Sequence, residues 1–359
     1  MLTSIQIENF RCFDQLKVDG LSRVNLIAGK NNVGKTAFLE AIGMWTSGSN
    51  PAGLTYLSGM RIPLEKVTLD IAQELLLAPL FKDFDTSRTI HIKGFLDYSE
   101  LHSLEIQSDR AIPNRISLTQ EKYEAGLGSL TSNLSQILTL RYIPPEGQPT
   151  ENQFWLEGNK TTLQGMSAEL ATPSLSVAFI FANSRQNSKT QSEMFGQLEL
   201  VSSDYSLVES LQLLEPRLKR ITTIVVSGFP ILYGDIGLKR LVPLSLMGDG
   251  LNRLVSILLT LATNRDGLVL IDEIENGLHH SVLSKVWQVI NDAAHRFNVQ
   301  VIATTHSYEC IEAAHTAFSD SGHYDFRLHR IDRIRDEFKP VTYDQEALEG
   351  SVQASFEVR

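Results

Sequence analysis

The residues most able to do chemistry form one short loop, residues 28–36. From Gly29 the loop reads G-x-x-x-x-G-K-T and ends in Gly34, Lys35 and Thr36. In a loop of this kind, backbone N–H groups and the start of the next helix face phosphate groups. The lysine reaches the outer phosphates of a nucleoside triphosphate, and the threonine hydroxyl binds Mg²⁺. The pattern therefore predicts a nucleotide site.

The elements on either side of this loop are those that such a site needs. An apolar run over residues 24–27 is typical of a buried strand, and residues 37–42 continue as a helix. A glycine-rich turn that binds nothing is the alternative, and the flanking strand and helix argue against it. We predict that the nucleotide contacts Gly29, Asn31, Asn32, Val33, Gly34, Lys35, Thr36 and Ala37.

A second candidate element lies far along the chain, where an apolar run over residues 268–271 ends in Asp272 and Glu273. Asp272 is suited to hold Mg²⁺ together with Thr36. Glu273 is the candidate catalytic base that activates a water molecule for attack on the γ-phosphate. Helix capping by an Asp-Glu pair is the alternative, and the phosphate loop upstream favours the catalytic interpretation.

Two other polar segments are candidates for the same site. His306 follows an apolar run over residues 300–304, at the strand end where open α/β sheets bind ligands. A single histidine is more often an ordinary surface or core residue. Residues 245–250 precede a helix with clear apolar periodicity. They can cap that helix or present backbone N–H groups to a phosphate, and the spacing does not decide between these roles.

The N-terminal segment supplies one more candidate. Residues 4–10 alternate polar and apolar side chains, as a half-buried strand does, and Arg11 follows directly. A strand pair before the phosphate loop would carry Arg11 close to the nucleotide. The alternative is a solvated loop cation.

The middle of the chain has a different pattern. Short strand-like runs near residues 89–92, 104–106, 115–118, 137–140 and 154–156 alternate with turn residues and predict an antiparallel sheet. Residues 63–80 have helical spacing. Residues 204–220 predict an amphipathic helix that Pro216 can kink or end early.

Composition narrows the function class. The chain has 359 residues, and 42% of them are hydrophobic. Its formal net charge of −10 argues against nonspecific DNA binding by the whole surface. Two cysteines do not make a disulfide framework, so we expect the cytoplasm. We expect neither a signal peptide at the N-terminus nor a membrane span, because no apolar run is long enough.

The order of these motifs resembles that of the ABC-type ATPases of the SMC/RecF clade, and within it the OLD group. The resemblance rests on Phe10-Arg11-x-Phe13, the phosphate loop, the segment 245–250, the run 271–279 and Thr304-Thr305-His306-Ser307. It implies an α/β fold: an ABC-type P-loop ATPase head with a central mixed sheet, an antiparallel β insertion and a helical signature subdomain. It also implies ATP and Mg²⁺ as cofactors and closure of two heads on two ATP molecules.

The resemblance assigns further roles. Arg11 would contact the nucleotide, His306 would sense the γ-phosphate, and Lys35, Glu273 and His306 would be the catalytic set. Gln186 would be the glutamine that follows a buried strand, with Gln191 and Gln197 as alternatives. The signature of one chain would act on the ATP of the other through Ser245, Met247, Gly248, Asp249 and Gly250, although the usual Ser-Gly-Gly is altered here.

The expected organisation is a single ATPase head over residues 1–359. Its nucleotide-binding core would comprise residues 1–47 and 221–330, its insertion and helical lever region residues 48–220, and its C-terminal tail residues 331–359. No heptad repeat is sustained, so the coiled coil of SMC proteins is not expected. We expect no TOPRIM nuclease domain after His306, because only about fifty residues follow it.

These expectations combine into one function. We expect a cytoplasmic ATPase that dimerises on ATP and regulates a separate effector, a nuclease or toxin, in anti-phage defence. A DNA-binding repair ATPase of RecF type is one alternative, and a nucleotide-gated scaffold with little turnover is another. A GTPase is disfavoured because Asn264-Arg265-Asp266 is not the guanine-reading Asn-Lys-x-Asp motif.

Overall fold

The computed structural model describes residues 1–50, 53–54, 77–109, 134–157, 162–166, 170–182, 187–200 and 206–353. The strands are β1 Leu2–Phe10, β2 Phe13–Asp19, β3 Val24–Ala28, β4 Ile90–Leu96, β5 Glu100–Asp109, β6 Leu134–Ile143, β7 Thr150–Glu157, β8 Thr162–Met166, β9 Val177–Ile180, β10 Arg220–Val226, β11 Phe229–Asp235, β12 Val242–Pro243, β13 Leu268–Ile271, β14 Gln300–Thr304, β15 Phe326–Ile334 and β16 Glu337–Tyr343. The helices are α1 Lys35–Ser47, α2 Ser188–Leu200, α3 Leu207–Leu211, α4 Asp249–Thr263, α5 Leu283–Arg296, α6 Tyr308–Asp320 and α7 Gln345–Gln353.

The central sheet has six strands in the order β16-β15-β3-β14-β13-β9. Its strands run parallel except β16, which pairs antiparallel with β15. Every residue of β3, β13 and β14 is buried, which explains their continuous apolar runs. The expected central mixed sheet is confirmed. Because β3, β13 and β14 are parallel neighbours, the segments that follow them meet at one edge of the sheet.

A seven-stranded antiparallel sheet lies beside it, in the order β2-β1-β4-β5-β6-β7-β8. Strand β4 shows the expected alternation, with its even-numbered residues buried and the others half-buried. The antiparallel insertion is thereby confirmed, and β1 and β2 extend its sheet. The predicted strand at residues 115–118 and most of the predicted helix at 63–80 lie outside the described residues.

Helix α1 lies between these two sheets. Its residues from Ala37 to Thr46 are all buried, and one apolar cluster joins them to side chains of both β1 and β14. A helix with apolar residues on all of its faces is stable only when every face packs against other parts of the protein. The burial of α1 therefore fixes the phosphate loop at its start against both sheets.

The helical part follows the expectation with one correction. Helix α3 has only five residues, Leu207–Leu211, whereas the sequence predicted a helix over residues 204–220. Pro216 cannot continue a helix, and the chain turns before it with Leu214 N–H bonded to Leu211 C=O. Strands β10, β11 and β12 then form a separate small sheet that leads into α4.

The structure also corrects the expected region boundaries. Strand β9, which lies in the predicted insertion 48–220, pairs with β13 in the central sheet. Strand β15 pairs with β3 and β16 with β15, so the predicted tail 331–359 contributes to the same sheet as far as Tyr343. Among the described residues, no helix is both long and apolar enough to cross a membrane.

Candidate nucleotide site

The phosphate loop, which we call the P-loop, turns between β3 and α1 and depends on two glycines. Gly29 has φ of 147°, and a Cβ atom there would lie 2.6 Å from the carbonyl oxygen of Ile331. Gly34 has φ of 91°, and its Cβ would lie 2.6 Å from the Cys12 sulfur. Any side chain at either position would strain the backbone and collide with its neighbours. The loop therefore keeps a shape that only this glycine spacing allows.

The rest of the loop presents its backbone to one side. Asn31 and Asn32 are exposed, and Asn32 adopts a left-handed φ of 65°. Val33 and Ala37 are buried on the inner side. Helix α1 begins at Lys35, so its first N–H groups lack partners within the helix, as at helix starts that bind phosphate.

Lys35 is held above the loop by its own backbone. Its Nζ donates to the carbonyl oxygens of Gly29, at 2.7 Å, and Lys30, at 3.0 Å. Burial lowers the pKa of Lys35, and the carboxylates of Glu275, Asp272 and Glu273 act against that shift. The ammonium group is thus already desolvated and aimed along the loop, where it can pair with phosphate oxygens.

Asp272 joins the two halves of the chain at the end of β13. Thr36 Oγ1 lies 3.1 Å from each of its carboxylate oxygens, and Thr304 Oγ1 donates to Oδ1 at 2.7 Å. Asp272 is only 7% exposed. A hydroxyl and a carboxylate at this spacing form a hard oxygen donor set of the kind that Mg²⁺ takes beside phosphates. In the described part of the chain, no three His, Cys, Asp or Glu side chains form a metal cluster.

Glu273 follows Asp272 in a left-handed conformation with φ of 48°. Its backbone N–H donates to Thr304 Oγ1 at 2.8 Å. The hydroxyl of Thr304 therefore accepts a hydrogen bond from the Glu273 N–H and donates one to Asp272. The Thr304 hydroxyl thus links the backbone of Glu273 to the side chain of Asp272.

Arg253 of α4 stabilises the same turn through hydrogen bonds to its backbone. Sequence analysis did not predict this role. Its guanidinium donates to the carbonyl oxygens of Phe181 at 2.9 Å, Asp272 at 2.5 Å and Glu273 at 3.1 Å. The side chain is 8% exposed, and burial lowers the pKa of Arg253 against the pull of the nearby carboxylates. The helix that follows residues 245–250 is thereby tied to the ends of β9 and β13.

His306 lies where the sequence predicted, just past the end of β14. Its ring is about half exposed, and its Nδ1 lies 3.3 Å from Glu275 Oε1. Glu275 also accepts a bond from the His306 backbone N–H at 2.9 Å. The structure thus brings Lys35, Thr36, Asp272, Glu273 and His306 to one edge of the central sheet.

Arg11 is neither solvated nor in a simple loop. Its Nε lies 2.8 Å from Oε2 of Glu40, which is 1% exposed in α1, and its backbone N–H donates to Leu80 C=O. The interpretation of Arg11 as a solvated cation is wrong. Its contact with a nucleotide stays a prediction.

The glutamine assignment is not tested. Gln186 lies outside the described residues. Of the two alternatives, Gln191 on α2 donates to Ser256 Oγ at 2.9 Å, and Gln197 is exposed on the same helix.

Residues 245–250, here called the signature segment, are placed differently from the P-loop. Ser245, Gly248 and Asp249 are exposed, and Met247 is half-buried. A Cβ atom on Gly250 would lie 2.8 Å from the Gly277 carbonyl oxygen, so the segment rests on the loop after β13. The exposed residues of the segment, among them Ser245 and Gly248, therefore face solvent rather than the rest of the chain.

Sequence analysis gave no role to four residues that the structure places at or beside the site: Glu40, Arg253, Glu275 and Thr304. Two of them carried a signal, because Glu40 and Arg253 are charged residues inside strongly apolar helices, where an ion is buried only with partners. Thr304 and Glu275 carried none, because a threonine in a strand and a glutamate in a loop are ordinary.

Comparisons with known proteins agree with this geometry. Residues 1–194 match the family model described as "AAA ATPase domain", more than half of the 359 residues. The chain belongs to the AAA ATPase domain family. Residues 181–312 of this AAA ATPase also match a second model, whose description pairs an AAA domain with the AbiEii toxin and type IV toxin–antitoxin systems.

Individual relatives extend the comparison. The AAA ATPase is 27% identical to an "ATP/GTP phosphatase" of Helicobacter pylori over 340 residues, which cover 87% of each chain. An uncharacterized protein of Methanocaldococcus jannaschii is 45% identical over 47 residues, 13% of this chain and 22% of that one. A crystal structure of an SMC head bound to the C-winged helix domain of ScpA superposes with a TM-score of 0.52 at 14% identity. It covers 97% of this chain and 99% of that one.

Family and fold together fix the chemistry. The AAA ATPase has the α/β fold of an SMC head, an ABC-type P-loop fold. It binds a nucleotide and hydrolyses ATP. The prediction of a P-loop ATPase is confirmed.

Proposed function

We propose that this AAA ATPase is an OLD-like head that closes on ATP as a homodimer. In the closed dimer, ATP lies on the P-loop of one chain, and the signature segment of the other chain caps its γ-phosphate. Hydrolysis then releases the two chains. The observation that carries this proposal is the signature segment itself, which is exposed and rests on Gly277 with its open side facing outward.

Within one chain, the chemistry divides among the residues at the sheet edge. Thr36 and Asp272 would hold Mg²⁺ beside the phosphate oxygens, where the ion neutralises charge on the γ-phosphate. Lys35 would pair with the outer phosphates, and Glu273 would take a proton from the attacking water. His306 would contact the γ-phosphate.

The output of the cycle lies in a partner. The carboxylates at the sheet edge would already be engaged in ATP chemistry, and the described residues form no group of three His, Cys, Asp or Glu side chains that could hold a metal ion. A separate effector, a nuclease or toxin, would therefore respond to the ATP-bound dimer. The match to a model whose description names a toxin–antitoxin system supports a defence role.

Sedimentation tests the dimer. The Glu273→Gln variant should bind ATP and hydrolyse it about 10²–10⁴ times more slowly, the share of a positioned base. With ATP it should sediment as a dimer and without ATP as a monomer. Adding Ser245→Trp should keep it monomeric with ATP, because a bulky ring then occupies the exposed face of the signature segment. Ser245 suits this test better than Gly248, whose φ of 106° would strain any side chain.

Thr223→Trp is the matched control, because Thr223 is exposed on β10 away from the signature segment. This control should dimerise as the Glu273→Gln parent does. Equal dimerisation of the Ser245→Trp and Thr223→Trp proteins would refute the trans arrangement.

The effector requires a separate measurement. The purified chain should hydrolyse ATP without cutting plasmid, linear DNA or RNA in Mg²⁺ or Mn²⁺. Cleavage that persists in a Lys35→Ala, Glu273→Gln double variant would show a second active site in this chain and would remove the need for a separate effector.

A further inference from the structure

Glu275 is a third carboxylate at the ATP site, and neither the base nor the metal role uses it. It lies in the loop after β13, and its side chain is 10% exposed. Its Oε1 accepts a bond from Thr305 Oγ1 at 2.7 Å and from the His306 backbone N–H at 2.9 Å. The same oxygen lies 3.3 Å from His306 Nδ1. This one oxygen therefore lies against three polar groups at and just after the end of β14.

The other oxygen of Glu275 is buried and has no hydrogen-bond partner among the described residues. A buried carboxylate oxygen without a partner is costly, so its retention needs a compensating role. An interaction with the ammonium group of Lys35 offsets part of this cost. Of the three carboxylates that counter the burial of Lys35, Glu275 has the strongest effect, ahead of Asp272 and Glu273.

The contact with Nδ1 has a geometric consequence for His306. About half of the His306 side chain is exposed, so the ring has few packing contacts to fix its rotation. Glu275 engages the ring through Nδ1, on the protein side. The nitrogen left to meet a ligand is Nε2, which points away from Glu275 because the two ring nitrogens lie on different sides of the imidazole.

We propose that Glu275 is a positioning residue that holds His306 with Nε2 directed at the γ-phosphate of bound ATP. Through Thr305 it also ties the end of β14 to the loop after β13, so the histidine moves with the two catalytic carboxylates. The inference rests on the role of His306 proposed above. It adds a residue that touches no substrate and orients the histidine.

A double-mutant cycle on steady-state ATP hydrolysis tests this inference. Glu275→Ala and His306→Ala should each lower kcat by about 10- to 100-fold, since a small misplacement of a catalytic group costs that much. KM should change by less than about threefold, because the effect is on the reacting geometry. In the double variant, kcat should fall no more than about twofold below that of His306→Ala alone, because residues that act as a unit are not additive.

Two further variants separate positioning from a general effect on the fold. Glu275→Gln keeps an oxygen that can accept from Thr305 and His306, so it should retain kcat within about fivefold, as an acceptor role requires. Glu309→Ala removes another carboxylate close in sequence to His306, one in the first turn of α6 that accepts from Ser307 Oγ at 2.7 Å. It should leave kcat within about twofold of the parent.

The outcomes distinguish the two proposals. If the losses of Glu275→Ala and His306→Ala multiply in the double variant, Glu275 does not act through His306 and the inference is overturned. If His306→Ala is defective but Glu275→Ala is not, only the role of Glu275 fails. If His306→Ala turns over ATP normally, the proposed γ-phosphate contact fails first. Glu275→Asp, whose shorter side chain withdraws the acceptor, replaces Glu275→Ala in the cycle if the latter does not fold.

Discussion

The P-loop and the signature segment are held in very different ways. Around the P-loop, Asp272 is 7% exposed and accepts bonds from hydroxyl groups of both α1 and β14. In the signature segment, Leu246 is 74% exposed, and a Cβ atom on Gly248 would meet no described residue within 4 Å other than its two chain neighbours. The first part is arranged before ATP arrives. The second is largely exposed, which agrees with the trans role proposed above.

The strongest way to test the prearranged part is to remove its charge. Lys35→Ala should abolish nucleotide binding, because it removes the ammonium group that the carbonyl oxygens of Gly29 and Lys30 hold at the P-loop. Binding of a fluorescent ATP analogue measures this. Lys285→Ala, an exposed lysine on α5, is the control and should bind normally. Tight binding by Lys35→Ala would remove this lysine from the site.

A smaller change probes the hydrogen bonds of the same part. Thr304→Val keeps the shape of the side chain but loses the hydroxyl that bonds Asp272 and the Glu273 N–H. We expect a loss of about 1–3 kcal/mol in the free energy of unfolding, because buried partners are left unsatisfied. A fall in kcat should accompany it.

Chemical denaturation and steady-state kinetics measure these two effects. Thr316→Val is the matched control, since its hydroxyl bonds only a carbonyl oxygen of its own helix on an exposed surface. Equal stability and activity of the two valine variants would mean that Thr304 does not organise the carboxylates.

The smallest effect is expected in the signature segment. Leu246→Ala should change the free energy of unfolding by less than about 0.5 kcal/mol, as exposed substitutions do. Leu244→Ala, two residues earlier and 2% exposed, should cost about 2–5 kcal/mol. Thermal and urea unfolding compare the two variants. A large loss in Leu246→Ala would show that the segment is packed within its own chain, contrary to the contrast drawn above.

The same contrast explains what the sequence could predict. The P-loop and the Asp272-Glu273 pair are contiguous patterns whose meaning depends on neighbours along the chain, so both elements were placed on the correct strand ends. Thr304 joins Asp272 across 32 residues of sequence. Such a bond follows from which strands pair in parallel, and a single sequence does not state that pairing.

The C-terminal strands and Arg253 were missed for related reasons. Residues 332–339 carry mixed charges that suggest a solvated tail, and the structure does place Arg333 and Asp336 in a surface ion pair. The alternate side chains nevertheless pack, as Ile331 and Phe338 show by their burial. Arg253 was hidden because its three partners are backbone carbonyl groups, which any residue type supplies.

The position of β3 has a consequence for how the protein is made. This strand forms near the start of the chain, yet both of its sheet neighbours, β14 and β15, come after residue 299. The backbone at Gly29 also packs against the carbonyl oxygen of Ile331, in β15. During synthesis, which proceeds from the N-terminus, the P-loop sequence therefore emerges long before the strands that shape it. A nascent chain should remain unable to retain nucleotide until β14 and β15 have left the ribosome.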